Sequence, residues 1–120
     1  MLLSRQSISV SQLTTHIQHL FDTDDILQDI WVAGEVSNMT RASSGHWYFT
    51  IKDDKAALRC VMWRSSTVNQ TTIPQNGDAI EAHGSVSVYA ARGEYQLYAD
   101  LIRPLGMGDR AREGHILKQE

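Results

Sequence analysis

The stretch SSGHWYFTIKDD, residues 43–54, places three kinds of side chain at alternate positions. Read as a strand, it sends successive side chains to opposite faces. Trp47, Phe49 and Ile51 then share one face, and His46, Tyr48, Thr50 and Lys52 share the other. An imidazole, a phenol ring and an amine on the wet face of a sheet match the needs of a single-stranded nucleic acid. Its bases offer flat faces to an aromatic, and its backbone offers phosphates to cations. The next apolar run, ALRCVMW (57–63), has the same period, with Leu58, Cys60 and Met62 inward and Arg59, Val61 and Trp63 outward. Arg59 can pair with a phosphate or stack its guanidinium plane. Asn38 and Arg41 are read into the loop before the first of these strands, and Tyr89 and Arg92 lie in or beside a later turn. The candidate binding set is therefore Asn38, Arg41, His46, Tyr48, Lys52, Arg59, Trp63, Tyr89 and Arg92. Outer aromatics also serve simply to cover a sheet, and such cover is the expectation for Trp31 and Trp63. Tyr48 and Arg59 carry the binding reading.

Other chemistry lacks parts. His16 and His19 can share a helical face, but no third ligand is near in sequence, and a metal site needs three or four convergent ligands. Asp53 and Asp54 sit between two strands, where paired acids form turns. Cys60 alternates with Leu58 and Met62 and reads as an inert core thiol. No glycine loop is placed to cradle a phosphate; Gly106 and Gly108 do not open a helix after a strand. Neither a catalytic residue nor a metal or cofactor is expected.

The elements that hold these residues follow from periodicity. Val10, Leu13, Ile17, Leu20 and Phe21 recur at helical spacing after Ser9, so a helix is predicted over 9–20, ended by the acidic DTDD. From Ile30 the period becomes two. Strands are predicted at 30–38, 46–53, 57–63, 79–89 and 94–102, with a loop at 39–45 and a polar segment at 64–78 that has room for a short helix. Gly34 and Gly84 lie inside long strands, where a missing side chain allows a bulge or sharp bend. Five strands with such bends suggest a small closed barrel: all-β, an OB-fold of five strands in Greek-key order with an N-terminal α-helix packed on it. The pattern alone also admits an SH3-like barrel or a small sandwich. The divisions are residues 1–29, helix and acidic linker; 30–105, barrel; and 106–120, a tail without clear period.

A chain of 120 residues suits one core. The net charge of −3 is unevenly spread. Residues 1–30 hold Arg5 against Asp22, Asp24, Asp25 and Asp29, net −3, while 39–75 hold five cations against Asp53 and Asp54, net +3. With few cations in the groove, about three to five, nucleic-acid binding is expected to be weak, roughly micromolar. One cysteine excludes a disulfide scaffold and suits a reducing cytoplasm. No apolar run reaches the length of a membrane span, and no signal peptide is read at the N-terminus.

The ordered runs ISVSQLTTHIQHLF, DIWVAGEVSN, SSGHWYFTIKD, LRCVMWRS, NGDAIEAHGSVSVYAARGEYQLY and IRPLGMGD resemble the N-terminal domain of the exonuclease VII large subunit over residues 8–109. The resemblance implies an OB-fold that binds single-stranded DNA and presents it to a nuclease domain beyond these residues. In that family the full enzyme degrades single-stranded DNA from either end to oligonucleotides, and a long coiled coil, not this domain, recruits a small subunit. The chain alone is thus expected to have no nuclease activity. A more distant resemblance, to the anticodon-binding OB domains of some aminoacyl-tRNA synthetases, leaves an RNA-binding module as one alternative. A protein-interaction barrel with Trp31 and Trp63 as a docking patch is another.

Overall fold

The computed structural model describes residues 7–106; the first six residues and the tail from 107 onward lie outside the described residues. The helix α1, Val10–Asp22, starts with a capping box. The Ser9 hydroxyl accepts the Gln12 N–H at 3.0 Å, and the Gln12 side chain accepts the Ser9 N–H at 2.8 Å. Two amides with no intrahelical acceptor are thereby satisfied. The acidic segment after it does more than link. Asp24 accepts the Leu27 N–H at 3.0 Å and caps a single turn, α2 (Asp25–Gln28).

Five strands follow: β1 (Ile30–Arg41), β2 (Trp47–Lys52), β3 (Ala57–Met62), β4 (Ala79–Tyr89) and β5 (Glu94–Pro104), with a short helix α3 (Arg64–Thr67) between β3 and β4. They close in the order β1–β2–β3–β5–β4 and back to β1. Every pairing is antiparallel except β3 with β5, which run parallel at Cys60–Leu97 and Val61–Tyr98. This is the five-stranded barrel with an N-terminal helix expected from the period-two runs. β1 closes it by pairing β4 through its first half and β2 through its second. The inward residues form one core: Val36, Trp47, Phe49, Ile51, Cys60, Met62, Ile80, Ala82, Val86, Leu97, Ala99 and Ile102 are all buried.

Gly84 acts as expected. The β4–β5 register shifts between His83 and Gly84, and a Cβ on Gly84 would lie 2.1 Å from the Tyr98 carbonyl oxygen. Gly34 does not mark the β1 bulge. A Cβ there would meet Ile51 and the Lys52 backbone at 3.1 Å, so this glycine permits a close strand approach. The β1 irregularity falls later, between Ser37 and Thr40, where Asn38 takes a left-handed φ of 55°. β1 then resumes and pairs Thr40 with Tyr48 and Arg41 with Trp47. Asn38 and Arg41 therefore belong to a bulged strand, not to a loop. The helix covers neither half-exposed tryptophan: α1 packs beside β4, with Phe21 set against Tyr95 (ring centroids 6.3 Å apart) and Ser87 donating to Asp22 at 3.1 Å.

Candidate nucleic-acid interface

A cleft of roughly 1180 Å³ lies over the outer faces of β2, β3 and β5. Asn38 and Thr40 of β1 bound one side, and Tyr89, Arg92 and Gly93 bound the other.

Strand register arranges the floor. Tyr48 pairs with Val61, and Val61 with Tyr98, so the three side chains form a row across β2, β3 and β5. Neighbouring strands are about 4.8 Å apart, which separates the two tyrosines by about 10 Å. Val61, expected to face solvent, is instead buried at 6% exposure between them. Trp63 follows β3 and stacks on Tyr98, with centroids 6.1 Å apart and planes at 26°. Gln96 is buried, and its amide donates to the Tyr98 hydroxyl at 2.9 Å, which orients that ring.

Two cations face this row. Arg59 stands opposite Thr50 across the β2–β3 ladder, and Arg92 sits in the β4–β5 turn. Both meet one carboxylate: Glu94 lies 3.3 Å from Arg59 Nε through one oxygen and 4.0 Å from Arg92 Nη1 through the other. All three side chains are roughly half exposed.

Six of the nine sequence-derived candidates line the cleft: Asn38, Tyr48, Arg59, Trp63, Tyr89 and Arg92. Three do not. Arg41 pairs with Trp47, so the pleat turns it to the opposite face from Tyr48. Lys52 ends β2 beside Glu35 and Ala57, on the exposed rim. His46 precedes β2, and its Nδ1 accepts the Arg64 N–H at 2.9 Å, satisfying a free donor at the start of α3. Its ring meets Trp63 edge-on at 5.1 Å and braces it. Thr40, Glu94, Tyr95, Gln96 and Tyr98 were not among the candidates, though they line the cleft. The alternation of EYQLYAD held a signal for some of them: with Leu97 and Ala99 inward, Glu94, Gln96 and Tyr98 must face out. Trp31 lies against His83 and Arg103 and does not line the cleft, so it shares no patch with Trp63.

Two further titratable groups have structural roles. Cys60 is buried, and burial pushes its thiol up to about 12, far from a reactive thiolate. Asp53 accepts the Lys55 and Ala56 N–H groups at 2.8 Å each and shapes the β2–β3 turn; those two bonds hold its carboxyl below the usual range. Among the described residues, no three His, Cys, Asp or Glu side chains gather as a metal site.

The model of the OB-fold nucleic acid binding domain matches residues 8–103. The chain belongs to that family. Among its sequence relatives, the exodeoxyribonuclease 7 large subunit of Edwardsiella ictaluri is 40% identical over 111 residues, covering 92% of this chain and 24% of that protein. The chain thus spans about a quarter of the length of the curated relatives it matches. The likeness to exonuclease VII large subunits read from the sequence holds at this level of identity. Among solved structures, a replication protein A heterotrimer bound to ssDNA superposes with a TM-score of 0.54 at 13% identity, over 66% of this chain and 58% of that one. The asparaginyl-tRNA synthetase of Pyrococcus horikoshii, complexed with asparaginyl-adenylate, gives 0.51 at 12% identity, over 66% of this chain and 20% of that one. At such identities these two likenesses speak for the fold alone.

Proposed function

We propose that this OB-fold domain binds single-stranded DNA along the cleft, as the corresponding part of an exodeoxyribonuclease VII large subunit. The observation that carries the reading is the Tyr48–Val61–Tyr98 row with Trp63 stacked beside it, edged by Arg59 and Arg92. Bases stack on Tyr48 and on the Trp63–Tyr98 pair. Phosphates pair with the two arginines, and Arg41 and Lys52 add charge outside the cleft. The exodeoxyribonuclease relatives support DNA as the ligand. The domain delivers the strand to a nuclease domain beyond these residues. The parent enzyme then cuts DNA from either end to oligonucleotides in the cytoplasm, assembled with its small subunit through another region.

Fluorescence anisotropy with a labelled single strand, a duplex and an RNA of the same sequence tests this. Each neutralised phosphate contributes about −0.7 to the slope of log affinity against log salt for single strands. Two cleft arginines give about −1.4, shallower than three to five cations would. Single-stranded DNA should bind at roughly micromolar affinity and more tightly than duplex, and it should stay intact with magnesium present. A flat salt response sinks the reading. Tighter binding of the RNA transfers it to the anticodon-binding type of OB module.

A further inference from the structure

Glu94 is the only acidic side chain among the described residues that line the cleft. It sits on the first residue of β5, directly after the turn that carries Arg92, and faces Arg59 across the β3–β5 seam. We propose that Glu94 competes with backbone phosphate for Arg59 and Arg92 and so sets how tightly the cleft grips a strand. This rests on the reading of the cleft as the single-stranded DNA site.

The chemistry is a matched exchange. A carboxylate is an acceptor-only group with two oxygens, and here each oxygen addresses a different guanidinium. A phosphate presents the same kind of acceptor pair to the same forked donors. Two anions beside the same guanidinium repel each other, so a phosphate drawn to the Nε edge of Arg59 competes with Glu94 for it. The exchange is cheap enough to occur, because ion pairs this exposed contribute little to stability. The cleft binds phosphate less tightly than its arginines alone would, and it releases phosphate more readily. That suits a domain that must hand a strand onward.

Simple repulsion between Glu94 and DNA would also weaken binding, so the test must separate the two. Anisotropy with a labelled oligothymidylate is measured for the wild type, Glu94→Gln, the Arg59→Gln/Arg92→Gln pair, and all three substitutions together. Tyr48→Ala reports whether the cleft is the site, and thermal melts report folding. Glu94→Gln should bind about three- to tenfold more tightly at low salt, from release of two weak pairs, and the gain should shrink as salt screens it. In the Arg59→Gln/Arg92→Gln background the same substitution should change affinity by less than about twofold, because neighbouring groups that act on one another are not additive. An unchanged or weakened Glu94→Gln overturns the proposal, and so does a gain that persists without the arginines. If the wild type binds no single strand, or Tyr48→Ala binds as the wild type does, the reading of the cleft fails and the competition fails with it.

Discussion

Trp31 and Trp63 expose nearly the same share of their surface, 39% and 44%, on different parts of the barrel. Their surroundings differ in kind. The Arg103 guanidinium lies 3.8 Å from the centroid of the Trp31 ring, and His83 tilts against that ring at 5.1 Å. Both neighbours are themselves held. Arg103 donates to Glu81 at 2.8 Å, and His83 lies between Asp29 at 2.6 Å and Asp100 at 2.7 Å. The network joins the end of α2 to β4 and β5, with Trp31 as its apolar centre. The Trp63 ring meets two other rings, Tyr98 and His46, and opens onto the cleft. An aromatic ring serves a ligand when a face is unclaimed, and fractional exposure does not report that. A guanidinium over a ring already takes the electrostatic attraction that a base or cation would use.

The comparison can be broken by substitution. The largest effect is expected at the third tryptophan, the core side chain beside Tyr48: Trp47 is 7% exposed, and Trp47→Ala should cost about 3–5 kcal/mol in a chemical melt. Trp31→Ala should cost less, about 2 kcal/mol, since it removes a half-buried ring and a cation–π contact. It should leave affinity for single-stranded DNA within about twofold. Trp63→Ala should do the reverse, with a small loss of stability and a binding loss of about five- to a hundredfold, as stacking is worth about 1–3 kcal/mol per base. A folded Trp31→Ala that no longer binds would show that the two tryptophans had been assigned the wrong way round.

Tyr48 sharpens the contrast within the cleft. Tyr48→Ala should weaken binding about five- to a hundredfold with the fold intact, while Tyr48→Phe should bind nearly as the wild type does, because the ring plane does the stacking. Anisotropy on both variants, with melts as controls, decides it. If the phenylalanine variant binds as poorly as the alanine one, the hydroxyl and not the plane is the contact.

The smallest effect is expected on the other side of the comparison and only as pH changes. Hydrogen bonds to Asp100 and then Asp29 raise the His83 pKa above its ordinary 6.5. A group raised on folding stabilises the protein fully below its unfolded value and loses that contribution as pH rises through the folded value. The melting temperature should therefore fall as pH rises from about 6.5, and His83→Gln should flatten that part of the profile. Affinity for DNA should not follow it, since His83 does not line the cleft.

Much of this was legible from period two. Trp47, Phe49 and Ile51 are inward and Tyr48 outward because β2 is a half-buried strand, the case that alternation describes best. Alternation failed where its assumptions did. The left-handed Asn38 breaks the period, so a bulged strand end read as a loop. Val61 is outward by parity yet buried, because two tyrosines flank it across neighbouring strands. Tyr98, Gln96 and Glu94 reach the site through the parallel pairing of β3 with β5, which joins segments more than thirty residues apart in the sequence. Chain order says nothing of that pairing. The place of His46 was hidden for a related reason: its ring is turned to the Arg64 N–H, a contact made only when α3 packs over the β1–β2 loop.

The β3–β5 ladder is two residue pairs long, whereas β4 and β5 pair along their whole length. It is the one parallel seam among the described residues, and its strands are joined through α3, the connection 68–78, β4 and the short turn 90–93. Non-local pairing of this kind carries a loop-closure cost that a hairpin such as β4–β5 does not. The barrel is in this sense a sheet with a clasp, and Arg59–Glu94 and Trp63–Tyr98 fasten it from above. A polymer laid across Tyr48 and Tyr98 would hold both sides of that clasp together, in place of the Arg59–Glu94 pair with which its phosphates compete. Slow amide exchange along Cys60–Val61 and Leu97–Tyr98 would then record occupancy of the cleft as a change in the mechanics of the barrel.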